Sequence, residues 1–403
     1  MNCTFFPSLA EGRVQAPRSK SMAHRLAICA AFAEGVSTIR ALPDCEDVEA
    51  TLACLEALSV KYERRGNMLT VYGGTFGKPI VPLRVGASAS TLRFFIPMAL
   101  LLRCEMTFVG DSSLFSRPET VYENLFSSLS CPFVLSEHSL YVDARGLGAV
   151  PRRVEMDGTI SSQFVTGLLL LYAISGGGEI ALSGKVESRP YINLTLDVLG
   201  RFGVKGYFKD ERTIVIPEGQ RLRACECEVE GDYSGSAFLE AFNLVGGDVT
   251  TVGLVEDSRQ GDRVYREYFK ILREGAPEID IGDTPDLAPI LMAMASYYHG
   301  ARLLSSARLK IKESDRGRAM AEELTKLGAK ITVLENEIVI EKSVLHAPRE
   351  VLHSHADHRI AMALSVLLTK YGGELSGAES VRKSFPDFFE KLKALGVRYQ
   401  MKP

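Results

Sequence analysis

The chain has 403 residues, of which 46% are hydrophobic and 24% charged, and its formal net charge is −3. These values fit a globular protein of two or three domains and exclude a generally basic nucleic-acid-binding protein. The cysteines form no Cys-x-x-Cys pair, so neither a zinc ribbon nor a disulfide framework is expected. The apolar run 164–174 is too short to span a membrane, and the first residues lack the basic start of a secretory signal. We therefore expect a cytoplasmic protein with reduced thiols, and neither a membrane nor a nucleic acid as partner.

Six apolar, helix-like runs recur along the chain, and each continues through a small turn into a short strand-like segment. They cover residues 23–33, 92–102, 164–174, 237–245, 287–298 and 360–368. Five of them recur at intervals of roughly 70 residues. The fifth comes early, which predicts that its repeat is trimmed.

A more polar, amphipathic helix is predicted after each apolar run, at 47–58, 119–129, 191–202, 262–273, 315–327 and 388–395. Strand-like segments such as 213–216 and 337–340 come next. Since the first helix of each pair is apolar nearly all round, it should be buried, with the second helix outside it. The pattern predicts an α/β fold of six repeats. It lacks the glycine motifs of dinucleotide-binding and P-loop folds.

The start of each inner helix is rich in capping residues. These starts are Ser19-Lys-Ser21, the segment 88–93, Ser161-Ser-Gln163, the segment 232–236, Asp283-Thr-Pro-Asp286 and Asp357-His-Arg359. Helix N-termini attract anions, and cations such as Lys20, Arg25 and Arg117 would strengthen that attraction. If the six starts converge, they favour a multiply anionic ligand.

Eight motifs in order along the chain resemble those of the EPSP synthase family, the 3-phosphoshikimate 1-carboxyvinyltransferases. They are Ser19-Lys-Ser21 with Arg25, Arg117-Pro118, the segment 157–164, Ser188-Arg-Pro-Tyr-Ile192, Glu230-Gly-Asp232, Lys312-Glu-Ser-Asp-Arg316, Asp357-His-Arg359 and Lys383-Ser-Phe-Pro-Asp387. The resemblance implies a two-domain, inside-out α/β barrel-like fold of six βαβαββ repeats with buried inner helices, three per domain. One domain would combine 1–18 with 232–403, the other would span 19–231, and the active site would lie in the interdomain cleft.

The resemblance also implies a reaction, the transfer of the enolpyruvyl group of phosphoenolpyruvate to the 5-hydroxyl of shikimate 3-phosphate, without cofactor or metal, in a monomer. The residues that it assigns to shikimate 3-phosphate are Ser21, Arg25, Ser161, Ser162, Gln163, Ser188, Tyr191, Asp286 and Lys312. Those assigned to phosphoenolpyruvate are Lys20, Ala89, Arg117, Gln163, Arg316, Arg359 and Lys383.

Catalysis requires a base for the hydroxyl and an acid that protonates C3 of the enol. Asp286 and Glu313 are the candidates, in that order, with Lys20 as a further proton carrier. Which carboxylate takes which role stays open at the level of sequence.

Four positions depart from the family's usual pattern. The loop Gly86-Ala-Ser-Ala-Ser90 has Ala89 where glycine is usual and Ala87 where asparagine is usual. The added methyl group narrows the space beside the enolpyruvyl group, which predicts insensitivity to the longer inhibitor glyphosate. Arg18 replaces a glycine and is expected to face solvent, and Arg308 stands where many members have an asparagine.

Three other functions compete with this interpretation. A UDP-N-acetylglucosamine 1-carboxyvinyltransferase would share the fold and the chemistry, but Ser21 and Arg117 fit that family poorly. A zinc hydrolase is suggested by the segment 353–358, which spells His-x-His-x-Asp-His but has no further histidine downstream. A non-catalytic anion-binding scaffold would lack an acid–base pair, whereas Asp286 and Glu313 are present.

Overall fold

The computed structural model describes residues 1–402, which divide into two compact units. Unit one contains Met1–Pro17 and the chain from Gly231 onward, and unit two is Arg18–Glu230. The observed boundaries fall one residue before those expected from the sequence. Each unit has a hydrophobic core of its own.

The described chain contains the following α-helices: α1 (Lys20–Phe32), α2 (Glu46–Ala57), α3 (Ala89–Phe95), α4 (Met98–Leu102), α5 (Ser112–Phe115), α6 (Thr120–Ser128), α7 (Ser162–Ser175), α8 (Arg189–Arg201), α9 (Tyr233–Glu240), α10 (Tyr265–Glu274), α11 (Ala288–Tyr297), α12 (Arg316–Lys326), α13 (His358–Tyr371) and α14 (Phe388–Ala394). Short 3-10 helices cover Ala241–Leu244, Gly261–Val264, Pro285–Leu287, Ala307–Ile311 and Ala378–Lys383.

The strands are β1 (Asn2–Phe6), β2 (Glu11–Gln15), β3 (Gly35–Arg40), β4 (Lys61–Arg65), β5 (Met68–Gly73), β6 (Leu83–Gly86), β7 (Glu105–Gly110), β8 (Phe133–Leu135), β9 (Ser139–Asp143), β10 (Arg153–Asp157), β11 (Gly178–Ser183), β12 (Tyr207–Phe208), β13 (Thr213–Ile216), β14 (Glu226–Glu228), β15 (Asp248–Val252), β16 (Glu278–Asp280), β17 (Ala301–Leu304), β18 (Lys330–Val333), β19 (Glu337–Glu341), β20 (Leu352–His353), β21 (Gly373–Ser376) and β22 (Arg398–Lys402).

These strands form six small sheets, three in each unit. Five are four-stranded and repeat one pattern, a parallel pair followed by two antiparallel neighbours, as in β10-β11-β13-β12 and β16-β17-β19-β18. The sixth sheet is only the parallel pair β15-β2. The six α/β repeats predicted from the sequence are therefore confirmed.

The trimmed repeat is the fourth and not the fifth. After α10, the chain passes directly into β16 of the next sheet, without the antiparallel hairpin that follows α2, α6 and α8. The fifth apolar run comes early because the preceding repeat has lost two strands.

The inner helices are buried as predicted, since in α1 every residue from Met22 to Phe32 is buried. Two of the apolar runs are not single α-helices as predicted. The run 237–245 changes from α9 to a 3-10 helix after Glu240, and the run 92–102 is broken into α3 and α4. Pro97 stands at this break, and proline lacks the N–H that a continuous helix would need there. None of the helices in residues 1–402 combines the length and apolarity that a bilayer span requires.

Candidate active site

Five of the six inner helices start as their capping residues predict. The side chains of Ser19, Ser88, Ser161, Asp232 and Asp357 each accept a hydrogen bond from a backbone N–H in the first turn. The fifth inner helix is different, because it begins with the 3-10 turn Pro285–Leu287 and has no side-chain cap. That turn carries Asp286.

In unit two, Lys20 lies in the first turn of α1 and is paired with a carboxylate that was not predicted from the sequence. Its Nζ lies 2.7 Å from Oδ2 of Asp47 in α2, and the two side chains are 17% and 13% exposed. In a largely desolvated pair of this kind, the Coulomb attraction is less screened than in a surface ion pair. Asp47 therefore fixes the position of Lys20.

A buried chain of polar side chains connects α1, α2 and α3 behind this pair. Nδ1 of His24 lies 2.7 Å from the Thr51 hydroxyl, which lies 2.8 Å from the Thr91 hydroxyl. Thr91 donates in turn to Ser88, the cap of α3. Burial, with Lys20 and Arg25 nearby, lowers the pKa of His24 well below its usual value, so this imidazole is neutral. This series of hydrogen bonds fixes the start of α3, where Ala89 lies.

Arg25 is 3% exposed and donates to four oxygen atoms of unit two. Its acceptors are the hydroxyls of Thr195 and Thr166 and the backbone carbonyls of Ser21 and Tyr191. Burial lowers the pKa of Arg25 to about 10, so it stays charged at neutral pH. Arg25 thus holds together the segments that carry Ser21 and Tyr191, two further residues predicted to bind shikimate 3-phosphate.

The other predicted ligands of unit two lie at turns and helix starts. Ser161 and Ser162 are buried at the start of α7, and Ser188 is 2% exposed before α8. Ser188 has a φ of +53°, in the left-handed region that serine rarely adopts. Backbone strain of this kind is common at binding sites.

Arg117 lies just before α6 and is 7% exposed. Within residues 1–402, its Nε has no hydrogen-bond partner. A buried cationic donor in this state is suited to an anionic acceptor.

In unit one, a second cluster is centred on Asp286. Its carboxylate accepts from Nη1 of Arg316 and from Nη2 of Arg359, each at 2.8 Å, and Nζ of Lys312 lies at 3.5 Å. Burial opposes ionisation of Asp286, but Arg359, Lys312 and Arg316 outweigh it and hold its pKa well below the usual value. Asp286 is therefore ionised at neutral pH.

Arg316 is 1% exposed and is surrounded by carboxylates. Besides Asp286, its guanidinium binds Oδ2 of Asp357 at 2.7 Å and Oε2 of Glu313 at 2.5 Å. One arginine thus aligns both of the predicted acid–base residues, Asp286 and Glu313, because its planar group offers several donors at fixed angles.

Asp262 is a further buried carboxylate of this cluster that the sequence did not reveal. It is 3% exposed, and burial together with the charge of Asp286 raises its pKa. Like Asp47, Asp262 comes near the start of an outer helical segment, where an acidic residue usually faces solvent. An acidic residue in this position therefore gives no sign, in the sequence, that Asp262 is buried or that Asp47 pairs with Lys20.

Lys383, Lys312 and Arg308 are the other cationic residues of unit one named in the sequence analysis. Nζ of Lys383 donates to the carbonyl of Ala356 at 2.9 Å, just before the cap Asp357. Burial lowers the pKa of Lys312 to about 8, with Arg316 and Arg308 adding to the effect and Asp286 opposing it. Arg308 lies near Gly282, whose carbonyl is 3.4 Å from its Nη1.

The structure also bears on Arg18 and on the histidines of the segment 353–358. Arg18 was expected to face solvent. Its side chain is 29% exposed, and its Nη1 donates to Oε1 of Glu228 at 3.0 Å and to the carbonyl of Val229 at 2.9 Å. The histidines of the segment 353–358, which the missing downstream histidine already disfavoured as zinc ligands, contact other side chains. His353 contacts Ser376, and Nε2 of His355 lies 2.8 Å from Glu323.

Comparisons with known proteins agree with this geometry. A family model described as EPSP synthase (3-phosphoshikimate 1-carboxyvinyltransferase) matches residues 7–392. Proteins named 3-phosphoshikimate 1-carboxyvinyltransferase from Clostridium kluyveri and Clostridioides difficile are 38% and 34% identical to this chain. These alignments cover 97% and 98% of the chain and 96% and 97% of the relatives.

Solved structures show the same fold. An EPSP synthase from Acinetobacter baumannii has a TM-score of 0.80 at 22% identity, over 100% of both chains. The enolpyruvyl transferase NikO from Streptomyces tendae has a TM-score of 0.76 at 16% identity, over 100% of this chain and 99% of its own. The family match and the identity to relatives decide the assignment: the chain is an enolpyruvyl transferase and belongs to the EPSP synthase family.

Proposed function

We propose that the two clusters of charged residues around Lys20 and Asp286 carry out the reaction of this family on phosphoenolpyruvate and shikimate 3-phosphate. The enolpyruvyl group is transferred to the 5-hydroxyl by addition and elimination. Phosphate and 5-enolpyruvylshikimate 3-phosphate, on the route to chorismate and the aromatic amino acids, are the products. The observation that carries the proposal is Asp286, an ionised carboxylate fixed by Arg316 and Arg359.

Both substrates are anions, and the residues proposed to hold them supply cations and hydrogen-bond donors. For phosphoenolpyruvate these are Lys20, Ala89, Arg117, Gln163, Arg316, Arg359 and Lys383. Arg117 is the strongest candidate for direct contact, since its buried Nε has no partner within residues 1–402. Arginine donors match the paired oxygens of carboxylate and phosphate groups.

Shikimate 3-phosphate has a phosphate group and hydroxyls, so it needs cations as well as hydroxyl and carboxylate partners. The proposed residues are Ser21, Arg25, Ser161, Ser162, Gln163, Ser188, Tyr191, Asp286 and Lys312. Ser161 and Ser162 lie at the N-terminus of α7, where free N–H groups favour a phosphate. Asp286 would accept from a hydroxyl of the ring.

In the addition step, the 5-hydroxyl oxygen attacks C2 of phosphoenolpyruvate while C3 gains a proton. In the elimination step, the tetrahedral intermediate loses phosphate and a proton from the new methyl group. We assign Asp286 as the base toward the hydroxyl. Its low pKa makes it a weak base in the free protein, but anionic substrates would partly neutralise Arg359 and Lys312 and so raise that pKa.

Glu313 and Lys20 remain the candidates for proton transfer at carbon. Glu313 is held by Arg316, and Lys20 is held by Asp47. Both therefore have a fixed orientation, which general acid catalysis requires. We further propose that the protein works as a monomer in the cytoplasm and requires no metal.

The proposed activity is tested by phosphate release from phosphoenolpyruvate with shikimate 3-phosphate as acceptor, in buffer treated with a chelator. We expect turnover with this acceptor and none with UDP-N-acetylglucosamine. Turnover only with the UDP-sugar would refute the proposed acceptor.

The acid–base roles are tested by single-turnover kinetics of Asp286→Asn and Glu313→Gln. These isosteric changes keep a hydrogen-bond acceptor toward Arg316 and remove the ionisable group. We expect each to slow the chemical step by about 100-fold or more, the usual contribution of a positioned acid or base. A near-normal rate in either variant would remove that residue from the chemistry.

A further inference from the structure

The side-chain amide of Gln163, which the proposed function assigns to both substrates, is held on two sides within unit two. Its Oε1 accepts from Nη1 of Arg93 at 2.8 Å. Its Nε2 donates to the hydroxyl of Ser90 at 3.0 Å. Ser90 belongs to the segment 86–90 that also carries Ala89. The amide therefore connects the start of α7 with the start of α3.

Arg93 is 3% exposed, and all three of its guanidinium nitrogens have acceptors. Nε and Nη2 lie 2.9 Å and 2.8 Å from Oε1 of Glu119, and Nη2 also donates to the carbonyl of Pro118 at 3.1 Å. The guanidinium carbon lies 4.5 Å from the ring centre of Phe164, a favourable cation–π distance. Arg93 thus has one orientation, with Nη1 left for Gln163.

Glu119 is the anchor of this arrangement. Its side chain is 0% exposed, and it comes directly after the Arg117-Pro118 motif. A buried carboxylate is costly unless it is paired, so Glu119 needs the Arg93 guanidinium to remain beside it. The net stability that such a buried ion pair adds is small, because desolvation offsets the Coulomb attraction, but removing one partner leaves the other charge buried and uncompensated.

The chemistry of arginine decides which way the amide of Gln163 faces. Arginine has only donors, so the atom opposite Nη1 must be the amide oxygen, and the NH2 group must occupy the other position. One N–H of that group binds Ser90. The second is left for another acceptor, such as an oxygen atom of an anionic substrate.

We propose that Arg93, anchored by Glu119, is a positioning residue that orients the Gln163 amide so that it donates to the anionic substrates. This inference rests on the proposed function, in which Gln163 contacts phosphoenolpyruvate and shikimate 3-phosphate. Arg93 and Glu119 themselves act only through Gln163.

The test uses Gln163→Ala, Gln163→Glu and a double variant, the charge-free pair, that combines Arg93→Met and Glu119→Met. The charge-free pair is made both alone and together with Gln163→Ala. Removing both charges avoids leaving either one buried without a partner. Arg93→Lys is a second variant, because it keeps the charge beside Glu119 but cannot reach Glu119 and Gln163 at once. For each variant, KM for both substrates, kcat and Tm are measured.

Tyr122→Phe is the matched control. The Tyr122 hydroxyl oxygen lies 2.9 Å and 2.8 Å from the backbone carbonyl oxygens of Arg93 and Phe164, and its one hydrogen can bond to either. Its loss therefore disturbs the same packing without altering the Gln163 amide. We expect this variant to lower Tm and leave both KM values within twofold.

We expect Gln163→Glu to keep its bond to Arg93 and yet raise both KM values about tenfold, the effect of losing one hydrogen bond to a charged group. The charge-free pair and Arg93→Lys should raise KM by a similar factor with a smaller change in kcat. Added to Gln163→Ala, the charge-free pair should change KM less than twofold, because the amide through which it acts is already gone.

Two results would overturn the inference in different ways. If Gln163→Ala raises KM but the folded charge-free pair or Arg93→Lys does not, or if their effects add in full, Arg93 does not act through Gln163. If Gln163→Ala itself leaves both KM values unchanged, the proposed contact of Gln163 with the substrates fails, and the positioning role fails with it.

Discussion

At the scale of single residues, burial decides what each charged side chain can do. Arg25, Arg93, Arg316 and Arg359 are all less than 9% exposed and make hydrogen bonds inside their own units. Arginine keeps its charge in such surroundings and satisfies several acceptors at once. Lysine changes its protonation more readily when buried, which gives Lys312 a different role.

The pKa of Lys312, about 8, predicts a pH dependence. Below this pH the ammonium is charged and attracts an anionic substrate, and above it the charge is lost. We therefore expect kcat/KM for shikimate 3-phosphate, which reports on the free enzyme, to fall as pH rises through about 8. In Lys312→Arg the fall should move to higher pH. An unchanged pH profile in that variant would show that another group titrates.

Ala89 predicts the response to glyphosate. It is the first residue of α3 and is 8% exposed, and its neighbour Ser88 is fixed by Thr91. Since the segment is held rigidly, we propose that the Ala89 methyl group excludes an inhibitor longer than phosphoenolpyruvate. Ala89→Gly should therefore lower the glyphosate concentration for half inhibition by about tenfold or more, with Ala87→Gly as control. Strong inhibition of the unaltered enzyme would contradict the prediction.

At the scale of elements, close approach of α7 to its neighbours explains how Gln163 reaches Arg93. A Cβ at Gly167 would lie 2.2 Å from the Tyr122 hydroxyl oxygen and 2.4 Å from the Arg93 carbonyl oxygen. No other amino acid fits there without moving α7. Gly167 thus allows α7 to lie close to α3 and α6, and the contact between Gln163 and Arg93, one turn away, depends on this close approach.

Gly167→Ala should lower the free energy of unfolding by about 2 kcal/mol or more, the usual cost of overpacking a core. The matched control is Gly200→Ala in α8, where a Cβ meets nothing within 4 Å. That change should raise stability by about 0.5–1 kcal/mol, because alanine restricts the unfolded chain and favours helix. Denaturant titration measures both values, and equal effects at the two sites would refute the packing argument.

At the scale of the whole molecule, each unit has a complete core. Every buried residue of one core cluster lies between Met22 and Val229, and the other cluster draws only on residues up to Val14 and from Tyr233 onward. Because unit two is one continuous segment, it closes its three sheets without strands from elsewhere in the chain.

We therefore expect the isolated segment 18–230 to fold by itself. Its urea unfolding should be a single cooperative transition, with an m-value in proportion to the surface that about 210 residues expose. Circular dichroism and hydrogen exchange would check this. A non-cooperative transition or unprotected amides in α1 and α7 would show that unit two needs the rest of the chain.

Much of the fold followed from the sequence alone, because helix periodicity and cap chemistry are local. The six inner helices, the cap residues Ser19, Ser88, Ser161, Asp232 and Asp357, and the strands at 213–216 and 337–340 were predicted from short patterns. The break at Pro97 was not predicted, and the trimmed repeat was placed fifth although it is the fourth. The run 92–102 is mostly apolar, and that pattern favours one helix in spite of the single proline. A missing hairpin only shortens the distance between two apolar runs, which does not show in which repeat the hairpin is missing.

The motifs in the sequence were sufficient to identify the family and its reaction, and they predict Lys20, Arg316 and Asp286 as site residues. Only the tertiary structure revealed what holds these residues, namely Asp47 for Lys20, Asp357 for Arg316, and Arg93 with Glu119 for Gln163. The physical reason is that a charged residue at a helix start has the same appearance in a sequence whether it faces water or is buried. Its pKa, its partner and its role depend on which other segments pack against it, and those segments lie 26 to 70 positions away along the chain.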